Sequence, residues 1–105
     1  MNGLDQVLVT FREEAADRLA EVEGGLLELE GAPADANIVD RIFRAIHTVK
    51  GSSGMFGLAL VSAFAHQMEA AFELVRSGRL AASRPLIDLS LAGTDLIRSM
   101  LAAPG

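Results

Sequence analysis

Apolar residues recur along the chain at steps of three and four, and turn residues divide the pattern into four stretches. The first carries Leu4, Leu8, Phe11, Ala15, Leu19, Val22, Leu26 and Leu29, the spacing of a helix with one buried stripe. Glu13, Glu14, Asp17, Glu21, Glu23 and Glu28 fill other positions, which gives this helix an acidic outer face. "GAPADAN" at 31–37 ends it, and Asp35 is placed to cap the next helix. The second helix carries Ile38, Ile42, Ala45, Ile46 and Val49 on one side. The third starts near Leu58, with Leu60, Phe64, Met68, Ala71 and Val75 expected inside and Ser77-Gly78 as its terminator. The fourth begins near Ser83 with Pro85 in its first turn, and Leu86, Leu89, Leu96, Ile97, Met100 and Leu101 form its stripe. The predicted helices cover about 4–30, 35–53, 58–77 and 84–102. No stretch alternates with period two, and no Asn-Gly or Asp-Gly pair stands between two such stretches as a hairpin turn would. Short connections favour antiparallel neighbours, so the expected fold is all-α, an up-down four-helix bundle forming one domain over 1–105.

Composition narrows the function classes. Half of the 105 residues are hydrophobic while Tyr and Trp are absent, so Leu, Ile, Val, Ala, Phe and Met must build the core. Fourteen acids against nine bases give a net charge of −5, which argues against nucleic acid as a partner. Eight of the fourteen acids lie in the first thirty residues. The lack of cysteine excludes a disulfide framework, a thiolate nucleophile and a Cys-based zinc site. No apolar run approaches the ~18 residues of a membrane helix, and "MNGLDQ" is not a signal peptide. No membrane partner is expected, and a cytoplasmic location fits. The closing "LAAPG" reads as the start of a linker, so the chain is expected to be the N-terminal domain of a longer protein.

Candidate chemistry concentrates in "AIHTVKGSSGMFG" at 45–57. On a helical wheel His47 falls roughly 160° from the core stripe and is predicted to be exposed. Lys50, the only lysine of the chain, lies on its flank, Arg44 lies on the other, and Gly51 and Gly54 share its side. Each glycine costs a helix roughly 1 kcal/mol relative to alanine. Two readings account for that cost. The glycines clear a path to the imidazole, or the helix simply ends near Lys50 and they belong to a loop; spacing alone favours the loop. On the third helix His66 and Glu69 stand three apart, neighbours on one turn, on the side away from the Phe64–Met68–Val75 stripe.

An imidazole whose Nδ1–H is held by a carboxylate keeps a free lone pair on Nε2, and a neighbouring lysine can balance phosphoryl oxygens. Glu69 can serve His47 in this way if the second and third helices pack side by side. Hydrolysis fits poorly, since there is no G-x-S-x-G elbow. "KGSSG" has its lysine before the glycines, unlike a phosphate-binding loop. A metal-binding bundle is disfavoured because only one His-x-x-Glu occurs, in reversed order and facing outward.

"HTVKGSSGMFG" resembles the H-S-x-K-G-x-x-G-x-F-G signature of histidine phosphotransfer (HPt) domains, closest to the N-terminal domain of CheA-type chemotaxis histidine kinases. "HQMEAAFELVRSG", "IFRAIHTVKG" and the opening pattern of Phe11, Glu14, Ala15 and Leu19 are similar as well. The resemblance implies a phosphorelay domain of a two-component system. His47 is then the phosphoacceptor, Lys50 assists phosphoryl binding, Glu69 bonds the imidazole, and His66 joins the same polar network. Gly51 matches the small residue that keeps the approach open, with Gly54 and Arg44 beside the same access path. The implied partners are the ATP-binding domain of a histidine kinase, in cis or in trans, and a CheY-like response regulator. ATP and Mg²⁺ would be supplied by those partners, leaving this domain without a cofactor or metal of its own. The isolated domain is expected to be a monomer. Thr48 and Ser52-Ser53 depart mildly from the family pattern, and a fifth helix found in some members is expected to be absent or truncated.

Overall fold

A computed structural model describes residues 3–102; of the expected linker start at 101–105, Leu101 and Ala102 close the last helix and 103–105 lie outside the described residues. Four helices follow one another: α1 (Gly3–Gly31), α2 (Ala36–Met55), α3 (Ala59–Arg76) and α4 (Arg84–Ala102). Each packs on its neighbours around a ring, α1 on α2, α2 on α3, α3 on α4 and α4 back on α1. This is the antiparallel up-down bundle that the short connections favour. Its long axis measures 46 Å and the other two 20 Å.

Local chemistry sets the helix limits. The Asp35 carboxylate accepts from the backbone N–H groups of Asn37 at 2.9 Å and Ile38 at 3.3 Å, satisfying two donors that α2 leaves unpaired. Ser83 does the same for α4, its hydroxyl accepting from Leu86 N–H at 3.3 Å. Gly57 and Gly78 take the only positive φ angles among the described residues, 71° and 78°, where α2 and α3 give way to turns.

The stripes of α1 and α2 pack largely as their periodicity predicts. Phe11, Ala15, Leu19, Val22, Leu26 and Leu29 of α1 are buried, as are Ile38, Ile42, Ala45, Ile46 and Val49 of α2. Leu4 is a correction, at 64% exposed, and Leu8 is only half-buried. Phe11 packs against Phe56 with ring centroids 4.6 Å apart, just past the end of α2. The α1 residues before Phe11 therefore run beyond their antiparallel neighbour, and no helix covers Leu4.

Two further stripes are rotated from expectation. In α3 the buried residues are Val61, Ala65, Met68, Glu69 and Phe72, while Leu60 is 77% exposed. Phe64, Ala71 and Val75 are half-buried. In α4 the interior is Ile87, Ser90, Gly93, Thr94, Ile97 and Leu101, while Leu89 and Leu96 face solvent. Leu86 and Met100 are half-buried. Small residues win this seam because the helices approach closely: a Cβ on Gly93 would lie 3.0 Å from the Phe64 ring. Thr94 is tolerated inside because its hydroxyl donates to the Ser90 carbonyl at 2.8 Å.

Candidate functional site

The site is the solvent edge of the seam between α2 and α3. α2 is helical through Gly51 and Gly54 to Met55, two residues past the predicted limit of 53, so of the two readings of the glycines the one that puts them in a loop after Lys50 is set aside. Continuous helix keeps His47, Lys50, Gly51 and Gly54 on one face. The His47 side chain is 62% exposed. A Cβ added at Gly51 would meet nothing within 4 Å, and one at Gly54 only the Ser62 hydroxyl at ordinary contact distance, 3.5 Å. Packing within the domain therefore does not demand either glycine.

Glu69 gathers the polar groups. It was expected on the outer face of α3, but the structure buries it, leaving 11% of its side chain exposed. Glu69 follows Met68 by about 100° on the wheel, so it borders the true core stripe, and α2 closes over it. One carboxylate oxygen, Oε2, hydrogen-bonds His47 Nδ1. The other, Oε1, accepts from Lys50 Nζ at 2.7 Å and lies 3.6 Å from His66 Nδ1.

Burial pushes the Glu69 pKa upward, but hydrogen bonds from Lys50 and His47 and their charges outweigh it, so the carboxyl sits below its ordinary 4.5. Near neutral pH Glu69 is therefore ionised and can only accept. Nδ1 of His47 must carry the hydrogen, which leaves the lone pair of a neutral ring on Nε2. The arrangement fixes the tautomer and turns the free nitrogen away from the carboxylate.

His47, Lys50, His66 and Glu69 thus converge. Gly51 and Gly54 line an open groove of about 610 Å³ beside them, together with Lys50, Ala59, Ser62 and His66. Arg44 is not in the cluster: its Nε donates to Asp40 at 2.8 Å, one turn back on α2. No group of three or more His, Asp or Glu side chains among the described residues could hold a metal ion.

Sequence reasoning missed two participants. The Ser62 hydroxyl donates to the Lys50 carbonyl at 3.1 Å, tying α3 to α2 beside the site. Phe43, four residues before His47, lies nearly parallel to the imidazole, at 16° with centroids 6.3 Å apart. The i to i+4 spacing was a signal for Phe43. Nothing in the sequence signals Ser62, whose partner lies on another helix.

Comparisons with known proteins agree with this geometry. The family model described as the Hpt domain matches residues 6–103. The chain belongs to the Hpt domain family. It is 37% identical over 98 residues to the chemotaxis protein CheA of Borreliella burgdorferi, covering 93% of this chain and 11% of that protein. It is 34% identical over 100 residues to the CheA of Rhizobium meliloti, covering 95% of this chain and 13% of that one. The chain therefore spans a small fraction of these relatives. Among solved structures it superposes on the CheA phosphotransferase domain from Thermotoga maritima with a TM-score of 0.90 at 30% identity, covering 96% and 95% of the two chains. It also superposes on the phosphorylated P1 domain of CheA3 from R. sphaeroides, solved in complex with CheY6, with a TM-score of 0.86 at 32% identity. That match covers 92% of this chain and 76% of the other. No described helix is long and apolar enough to cross a membrane.

Proposed function

We propose that His47 is the phosphoacceptor of this Hpt domain and carries a phosphoryl group from a histidine kinase to a response regulator. The observation that carries this reading is an exposed imidazole held through Nδ1 by an ionised, buried carboxylate that also binds Lys50. In the loading step the Nε2 lone pair attacks the γ-phosphorus of ATP bound to a separate kinase domain. The Nε2–P bond forms, the bond to the bridging oxygen breaks, and ADP leaves. The Nδ1 proton stays in place, and Glu69 balances the positive charge of the phosphorylated ring. Lys50 Nζ has donors beyond the one given to Glu69, which can meet phosphoryl oxygens as their charge develops.

In the unloading step a carboxylate oxygen of an aspartate in a CheY-like receiver attacks the phosphorus. The N–P bond breaks and the lone pair returns to Nε2. ATP and Mg²⁺ belong to the partner domains in this scheme, and the parent chain acts in a cytoplasmic two-component chemotaxis system. Gly51 and Gly54 leave the approach to Nε2 open to both partners. The reading is supported by the CheA relatives and by the phosphorylated neighbour solved with CheY6.

The test is His47→Gln, presented with a chemotaxis kinase domain and radiolabelled ATP. The variant should fold and take up no acid-labile label, while the native chain carries its label on His47 by mass spectrometry under alkaline conditions. Undiminished labelling of the variant would remove the assignment.

A further inference from the structure

Glu69 holds only one nitrogen of the imidazole, so the ring retains freedom to swing about that single hydrogen bond. The surface beside it supplies a second restraint. Phe43 lies nearly parallel to the His47 ring, within the range at which offset aromatic rings attract. Phe43 is itself held, because the Arg76 guanidinium sits over its ring at 3.9 Å from the centroid.

Arg76 is not a loose surface cation. Asp40 of α2 accepts from its Nη1 at 3.3 Å and Glu73 of α3 from its Nη2 at 2.7 Å. Two carboxylates from the two helices of the site thus fix the plane of the guanidinium, a geometry that a lysine point charge reproduces only in part. Asp40 also binds Arg44, so the same anion anchors both arginines of this edge.

We infer that Arg76 is a positioning residue for phosphoryl transfer: it clamps Phe43, and the clamped ring confines the His47 imidazole so that Nε2 stays aligned with the incoming phosphorus. The inference rests on His47 being the phosphoacceptor. It differs from a docking role because Arg76 acts through Phe43 on the alignment of the nucleophile and not on partner affinity. Misalignment lowers the rate of the chemical step while binding is unchanged.

The experiment measures initial rates of phosphorylation of the chain by a chemotaxis kinase domain with ATP, varying the chain concentration. Arg76→Met keeps the side-chain stem and removes the cation. It should lower kcat by about three- to fivefold, with KM for the chain unchanged and the label still on His47. Arg76→Lys should recover part of the loss, since the charge is kept and the planar fork is not. Phe43→Leu should show a similar fall, and the double variant should be no slower than Phe43→Leu alone, because Arg76 has nothing to act on once the ring is gone.

A raised KM with normal kcat in Arg76→Met, multiplicative losses in the double variant, or no change at all would each overturn the inference. So would equal losses in Arg76→Lys and Arg76→Met. Label found on another residue of the native chain would bring down the proposed function with it, which separates the two failures.

Discussion

Two of the ion-paired links between helices of this bundle differ in what is buried. At the α2–α3 seam the acid is inside: Glu69 is 11% exposed, whereas the His47 side chain it holds is 62% exposed. At the α1–α4 seam Arg98 pairs with Glu23 across the helices and with Asp95 on its own, and the partners are 36%, 42% and 73% exposed. The second link is an ordinary surface network. Its hydrogen bond to Glu23 raises the Arg98 pKa against partial burial, which leaves unchanged a group that is always charged. The first gives up hydration of a carboxylate in order to orient a group that stays in solvent. Stability alone does not call for that arrangement, since a buried charge returns little net energy. It suits a site that must present one nitrogen in one direction.

The contrast is broken or sharpened by substitution. Glu69→Ala removes a hydrogen bond between charged or polar partners, and phosphorylation of His47 should slow by about 10- to 100-fold. Lys50 can hydrate when freed, so the loss of stability should stay near 1 kcal/mol. Rate assays with thermal melts read both quantities. Arg98→Ala should behave in the opposite way, with phosphorylation unaltered and stability lower by no more than about 1 kcal/mol. A slowed reaction in Arg98→Ala would erase the distinction between the two seams.

Acid titration separates them further. The Glu69 carboxyl is lowered in the folded state, so its contribution to stability is complete above the ordinary value of 4.5 and is lost as the pH falls through the lowered folded value. Denaturant melts of the native chain and Glu69→Ala should therefore differ above pH 4.5 and converge in more acidic buffer. A difference that persisted in strong acid would show that Glu69 acts by packing and not by charge.

The smallest effect concerns Ser53, beneath the site on α2. Its hydroxyl is fully buried and has no hydrogen-bond partner among the described residues. Ser53→Ala should be neutral or stabilising by up to about 1 kcal/mol, with phosphorylation unchanged. A lower melting temperature in that variant would show that the hydroxyl is satisfied after all.

Much of this molecule was legible along the chain. The six buried residues of the α1 stripe and the five named on α2 stand where a period of 3.6 puts them, because a helix with one apolar face has one way to hide it. The Asp35 cap, the Pro85 start and the Gly78 stop depend on neighbouring backbone alone, so local sequence specified them. His47 was correctly placed in solvent for the same reason, being on the far side of a well-defined stripe.

The errors share a different cause. Leu4, Leu60, Leu89 and Leu96 are as apolar as the residues that were buried, yet which of them is covered depends on where neighbouring helices end and how closely they approach. Gly93 and Thr94 displaced larger residues from the α4 interior because space between helices, not hydrophobicity, was limiting. Glu69 crossed from an expected outer face to a buried edge because α2 closes over it and supplies Lys50 and His47 as partners. The amino-acid sequence by itself determined four amphipathic helices, their ends and an outward imidazole, all set by contacts within one helix. Only the tertiary structure decided the burial and ionised state of Glu69, the His47 tautomer and the Arg76–Phe43 contact, because each is set by groups on two helices.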